Sequence, residues 1–256
     1  MRFVKHEYVY GFIGLLIYML PVSTPFSSKA YAQDTEEKIF NLNGKDFSYS
    51  VQKTPTGGDF GYFAPASRWP RAADGTTVVY VCWENPDPKF QQERHLVHDA
   101  VTSTWQAHSK IQFIGWQTCA AKSSGIRIFI VDDSNNGPHT KGLGRDLDGR
   151  PQGMVLNFTF NTWSQSCKTN DQTRAYCIKG IAVHEFGHAI GFAHEQNRPD
   201  RPGECREPAQ GSSVGAVMLT PYDSHSVMNY CNEKYNNDGQ LSELDVVALQ
   251  KMYGSN

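Results

Sequence analysis

His184-Glu185-Phe186-Gly187-His188-Ala189-Ile190-Gly191-Phe192-Ala193-His194 is the stretch from which the rest of the chain is best read. His184 and His188 are four residues apart. On an α-helix they share one face, one turn apart, and both rings reach a single ion at about 2.0–2.1 Å. Glu185 points about 100° away around the axis, where it can touch a water on that ion rather than join the ligands. His194 stands six residues beyond His188. A straight helix would carry it roughly 9 Å further along the axis, so the chain must leave the helix and double back. Gly191 sits where that break is needed, because glycine takes positive φ without a Cβ penalty and commonly ends helices. Three neutral imidazoles leave a zinc ion an open position for water, whose pKa falls from 15.7 to about 7. Glu185 then has the place of a general base. The pattern points to peptide-bond hydrolysis. The alternatives are a solvent-exposed helix that happens to carry histidines, and a structural zinc site, which usually closes its fourth position with Cys or His.

The run continues His194-Glu195-Gln196-Asn197-Arg198-Pro199-Asp200-Arg201, and downstream lies Ser226-Val227-Met228-Asn229-Tyr230. Together these resemble the astacin family of the metzincin metalloproteases: the Glu after the third His, and a Met-turn of pattern Ser-x-Met-x-Tyr. Asn229 departs from the His that astacins often carry between Met and Tyr. Arg68-Trp69-Pro70 with Thr77-Val78-Val79-Tyr80 is similar to the start of the family's catalytic domain, and Leu241 to Gly254 to its closing helix. The resemblance covers roughly residues 68–254. It implies an α+β metzincin (zincin-like) domain: a twisted mixed sheet with the zinc helix above a cleft, and an irregular lower half carrying the Met-turn. It implies one zinc ion on His184, His188 and His194, with Glu185 as general base. Tyr230 would be a switchable ligand that helps hold the oxyanion; its alternative is a core aromatic beside the turn. Met228 would form an apolar floor beneath the ion. Glu195 would anchor the mature N-terminus.

With 24 Lys and Arg against 26 Asp and Glu, the net charge of −2 speaks against a nucleic-acid partner. Arg2 and Lys5, the apolar run Phe12 to Leu20 and Ala30-Tyr31-Ala32 read as a signal peptide over residues 1–32. The apolar run is shorter than the ~20 residues a membrane span needs. The expected location is therefore secreted or periplasmic, with no membrane attachment after signal removal. Residues 33–66 read as a short prosegment, polar and turn-rich, and residues 67–256 as the catalytic domain. In the family's prosegments an aspartate after Gly often blocks the metal; Gly58-Asp59 is a candidate for such a switch, with an ordinary turn as its rival. All six cysteines follow the signal, and an even number in an exported chain suggests disulfides, of which six allow 15 pairings. The pairing expected here is Cys82–Cys119, Cys167–Cys177 and Cys205–Cys231.

Thr76 to Trp83, Gly125 to Val131 and Gly153 to Phe160 read as strands. The last is expected to be the edge strand along the cleft, to which an extended peptide or protein substrate could add by main-chain hydrogen bonds. Glu93 to Ser109 has helical spacing of apolar residues, with His95, His98 and Asp99 on it as surface groups rather than a second metal site. Ile178 to Gly191 is the expected metal helix, and Ser242-x-x-Asp245 a capping start for the last helix. Asp146-Leu147-Asp148-Gly149 reads as a turn rather than a calcium loop. Pro202 to Thr220 is expected to shape the side of the cleft that receives residues after the scissile bond. Arg174, Arg198, Arg201 and Arg206 are candidates for reading an acidic substrate side chain, with ordinary surface roles as the alternative. A rival from another class is a binding protein that keeps the metal but not turnover; the presence of Glu185 disfavours it. A zinc hydrolase of non-peptide bonds fits the three ligands but not the Met-turn and its Tyr.

Overall fold

The computed structural model describes the backbone of residues 35–42 and 45–52, and all of residues 62–256. The signal segment 1–32 and Asp59 lie outside the described residues. Strands β1 (Thr35–Leu42) and β2 (Lys45–Gln52) form an antiparallel hairpin in a stretch read from sequence as polar and turn-rich.

Residues 62–256 are built on a five-stranded sheet. Its strands are β3 (Thr77–Trp83), β4 (Ile111–Thr118), β5 (Ile126–Ile130), β6 (His139–Thr140) and β7 (Met154–Leu156). Their order is β4-β3-β5-β7-β6, with every pair parallel except β6, which runs antiparallel to β7. Helix α1 (Gln91–Val101) bridges β3 and β4 and runs on into a π-helical stretch, Thr102–Gln106, within the single helix expected over 93–109. Long crossovers of this kind are what parallel neighbours require.

Two expectations about the sheet are corrected. The edge strand beside the cleft is β6, a strand not expected from the sequence, and β7 lies one strand in. β7 also stops at Leu156 rather than reaching Phe160. The reason is local hydrogen-bond competition. The Asn157 side chain accepts from the amides of Thr159 and Phe160 at 3.0 and 2.9 Å, turning the chain. Asp132 then takes the Thr159 hydroxyl at 2.8 Å, the Asn161 amide at 2.5 Å and the Thr162 hydroxyl at 2.8 Å. Burial pushes the Asp132 carboxyl up, but the donors from Thr162, Thr159, Asn161 and Asn157 outweigh it and hold it well below the usual carboxylate range.

Helix α2 (Asp171–Ala189) carries the first two histidines. It begins at Asp171, seven residues before the expected start, behind the cap Asn170, whose side chain accepts from the Thr173 amide at 2.8 Å. Its C-terminal two-thirds, from Cys177 to Ala189, is almost wholly buried. Its N-terminal part, Asp171 to Tyr176, is exposed or half-buried and mostly polar, so it offers no apolar spacing from which periodicity could read a helix. Two tryptophans reach its backbone: Trp105 Nε1 donates to Val183 O at 2.8 Å and Trp69 Nε1 to Ala189 O at 2.7 Å. Helix α3 (Glu243–Tyr253) starts at the expected capping box of Ser242 and Asp245.

Tyr62 to Ala64, at the end of the span read as prosegment, is built into this body. Phe63 is fully buried, exchanges backbone hydrogen bonds with Val217 at 2.8 Å and packs edge-on against Phe192. The three disulfides are Cys82–Cys119, Cys167–Cys177 and Cys205–Cys231, as expected. No helix among the described residues is long and apolar enough to cross a membrane.

Candidate metal centre

The three imidazoles converge. His194 Nε2 lies 3.2 Å from His184 Nε2 and 3.1 Å from His188 Nε2, and all three rings are buried. Among the described residues this is the group of histidine, cysteine and acidic side chains able to hold a metal ion. The opposite ring nitrogens are all engaged by backbone carbonyls. His184 Nδ1 donates to Val227 O at 2.8 Å, His188 Nδ1 to Phe192 O at 2.8 Å and His194 Nδ1 to Gln210 O at 2.9 Å. A proton on each Nδ1 leaves each Nε2 lone pair aimed at the common centre, the arrangement a metal needs from its supporting shell. Burial, and for His184 and His188 the proximity of His194, holds all three rings below the usual histidine range, so they are neutral ligand donors at pH 7. Neutral N donors with an open side fit zinc.

The turn that returns His194 is a Schellman ending. The Phe192 amide bonds Gly187 O at 2.9 Å, the Gly191 amide bonds His188 O at 2.9 Å, and Gly191 has φ 106°. Ala64 and Tyr62 pin both sides of it, through Ala64 N to Gly191 O at 3.0 Å and Ala193 N to Tyr62 O at 2.9 Å. A β-carbon on Gly191 would also stand 2.7 Å from the Phe63 ring. Gly191→Ala is therefore expected to cost about 2–4 kcal/mol in urea denaturation and to weaken zinc binding in a titration. Unchanged values for both would show that the turn tolerates a side chain.

Glu185 lies beside the histidines on α2, 5% exposed, and its Oε2 is buried without a hydrogen-bond partner. Burial pushes its carboxyl up to about 8. A buried carboxylate of this kind, next to three lone pairs, fits a bound cation and its water. Tyr230 stacks on His184 with ring centres 5.3 Å apart and tilts over His194 at 4.6 Å, so it belongs to the site rather than to the core. Loss of water around the hydroxyl, although the residue is 38% exposed, and the nearby Glu185 hold it above the usual tyrosine range, a neutral donor at working pH.

The Met-turn is held from behind by α3. Asp245 accepts from the Ser226 hydroxyl at 2.6 Å and the Val227 amide at 2.9 Å, while the Ser226 hydroxyl accepts from the Met228 amide at 3.0 Å. Met228 packs against α2 at Gly187, where a β-carbon would lie 2.3 Å from its sulfur. The Glu195 amide donates to Met228 O at 2.9 Å, tying the third histidine to the same turn. Glu195 itself pairs with the buried Arg198 at 3.2 Å and accepts from the Asp223 amide at 2.8 Å. Sequence reasoning missed Asp245 as a support of the site, because the capping pattern already accounted for it; it also missed Asp132.

The remaining candidates stay apart from the centre. His98 contacts Asp99 at 3.1 Å and the Trp116 ring on the surface of α1. Asp146 accepts from Ser67 and Asp148 from the Gly125 amide, so the turn there spends its carboxylates within the protein. Arg174 pairs with Asp171 and Glu93, Arg198 with Glu195 and Asp200, and Arg201 donates to the carbonyls of Gln196 and Glu207. Two cavities flank the histidines, of about 400 Å³ on the His184 side and about 450 Å³ on the His188 and His194 side, with Glu185 and Tyr230 lining both. The 202–220 loop contributes to both sides, through Glu207 and Gln210 to the first and Gln210, Gly211 and Ser212 to the second.

Parts of the chain are similar to known proteins. The family model for Astacin, a peptidase family, matches residues 170–205, which run from the α2 cap past the third histidine. The astacin-like metalloendopeptidase of Coturnix japonica is 31% identical over 105 residues, covering 29% of this chain and 26% of that protein. The zinc metalloproteinase dpy-31 of Haemonchus contortus is 25% identical over 203 residues, 64% of this chain and 37% of that protein. The interstitial collagenase of Bos taurus is 24% identical over 187 residues, 68% of this chain and 33% of that protein. The chain thus spans well under half the length of these curated relatives. In fold, it is similar to the solved structure of myroilysin, with a TM-score of 0.53, 19% identity, and coverage of 76% of this chain and 98% of that one. The family's segment is thus matched across the metal helix and its return turn, and with these relatives and the similar fold it supports an astacin-type metzincin.

Proposed function

We propose that this chain is an exported zinc endopeptidase that hydrolyses protein or peptide substrates lying extended along the cleft. The observation that carries the reading is the convergence of three Nε2 atoms beside the unpartnered carboxylate of Glu185. His184, His188 and His194 would hold the ion. When bound, zinc supplies a Lewis acid that makes water a nucleophile near neutral pH and polarises the scissile carbonyl. Glu185 takes the proton of the attacking water and returns it to the leaving amine, one carboxylate serving as base and then acid. The Tyr230 hydroxyl donates to the oxygen that gains charge. Three disulfides favour an oxidising compartment, in line with a signal over residues 1–32. For the prosegment proposed over 33–66, the burial of Phe63 favours a cut ahead of Tyr62.

The test is cleavage of casein or gelatin by zinc-loaded protein, its loss on chelation, and its return when zinc is added back. Cleavage that survives full removal of the metal would overturn the reading. Tyr230→Phe, which keeps the ring stack and removes the donor, is expected to lower kcat about 10–100-fold with little change in KM. An equal kcat would leave Tyr230 a packing residue only.

A further inference from the structure

The direction of the edge strand says which end of a substrate meets which cavity. Pro138, just before β6, lines both cavities, whereas His139 to Leu143 line only the one beside His188 and His194. The edge chain therefore runs from the His184 side toward the His194 side. A peptide adding to this open edge in the more stable antiparallel sense runs the opposite way. Its N-terminal part lies over His188 and His194, and the residue after the scissile bond enters the 400 Å³ cavity beside His184.

The apolar part of that cavity's wall includes Trp163, Ile181 and the rings of Tyr230 and Tyr235, beside the uncharged polar side chains of Ser164, Gln210, Asn229, Asn232 and Asn236. Ile181 comes from the buried face of α2 and is 3% exposed. Trp163 has its amide on Asp132 at 3.2 Å and its ring so close over Gly137 that a β-carbon there would lie 2.5 Å from it. Tyr235 completes the aromatic lining. The charged side chains on the lining are Glu185 and Glu207, both acidic; no Arg or Lys is among them. Arg174, Arg198, Arg201 and Arg206 all lie off it. A substrate carboxylate entering here meets two acidic side chains and no cation on the protein wall.

From this we infer that the cavity beside His184 selects a large uncharged side chain, aromatic or long aliphatic, immediately after the scissile bond, and rejects Asp and Glu. Trp163 and Ile181 are its specificity-determining walls, and Asp132 is a positioning residue that holds Trp163 in place. The inference rests on the endopeptidase reading for its register.

The test uses a peptide set that differs only in the residue after the expected cut: Phe, Leu, Ala, Lys and Asp. Cleavage by the zinc-loaded protein is read by mass spectrometry. In parallel, binding of the same peptides to zinc-loaded Glu185→Ala protein is measured by calorimetry. Phe and Leu are expected to exceed Asp at least tenfold in kcat/KM and to bind more tightly. Trp163→Ala should shrink the Phe-to-Ala ratio, and Glu207→Lys should narrow the gap between Phe and Asp. Cleavage before Asp as readily as before Phe overturns the pocket assignment and leaves the peptidase intact. Binding with the expected preference, without cleavage of any peptide, upholds the pocket and overturns the peptidase reading instead.

Discussion

Glu185→Ala is expected to retain one zinc per chain and to lose about 10²–10⁴-fold in kcat, the range a positioned general base supplies. The expectation follows from its place: it shares α2 with two ligand candidates, sits one position from the first, and lines both sides of the cleft. Metal analysis beside the kinetics separates loss of the base from loss of the ion. Full activity in a zinc-loaded variant would remove Glu185 from the chemistry. The same carboxyl leaves a mark on the metal-free protein. Burial raises its folded pKa from 4.5 to about 8. The unfolded chain then releases this proton first, so its contribution to stability is full below about 4.5, declines as pH rises, and is lost above about 8. Glu185→Gln removes this dependence. The difference between the denaturation curves of metal-free parent and variant should therefore change between pH 4.5 and pH 8 and level off above. A difference that is flat across this window would mean that the carboxyl is solvated in the native state.

Zinc removal is expected to have the other large effect. Binding to the native state alone stabilises by about 4.1 kcal/mol at a thousandfold excess over Kd. For a domain of this size, that corresponds to a rise in Tm of roughly 10 °C over the chelated protein. His188→Ala should abolish most of this shift together with activity, since it removes one of three donors and leaves the Phe192 carbonyl without its ring partner. The two remaining rings keep their Nδ1 bonds to Val227 and Gln210. An identical zinc-dependent shift in parent and variant would place the ion elsewhere.

The pieces of the centre differ in how far they were legible. His184, Glu185, His188, Gly191 and His194 fall within eleven residues, and helix geometry alone relates them. The cap at Ser242 and the disulfide pairs were likewise readable, the first from a four-residue pattern. The edge strand was not. β6 is two residues long and has no pattern of its own; only its pairing with β7 makes it a strand. The expected strand over 153–160 ended early because Asn157 and Asp132 offer its backbone better partners than a neighbouring strand would.

The sequence by itself determined the donors, their spacing and the point where the helix must end, because those depend on dihedral freedom and rise per residue within about three turns' length of chain. Tertiary structure decided what aims and encloses them. Val227, Phe192 and Gln210 choose the ring nitrogen that faces the centre, Asp245 steadies the Met-turn from another helix, and Asp132 sets the wall of the cleft. Except for Phe192, which the return turn itself supplies, these partners lie 16 or more residues away along the chain from the groups they hold. Their hydrogen bonds exist only once the hydrophobic core has brought distant segments together and excluded the water that would otherwise satisfy them.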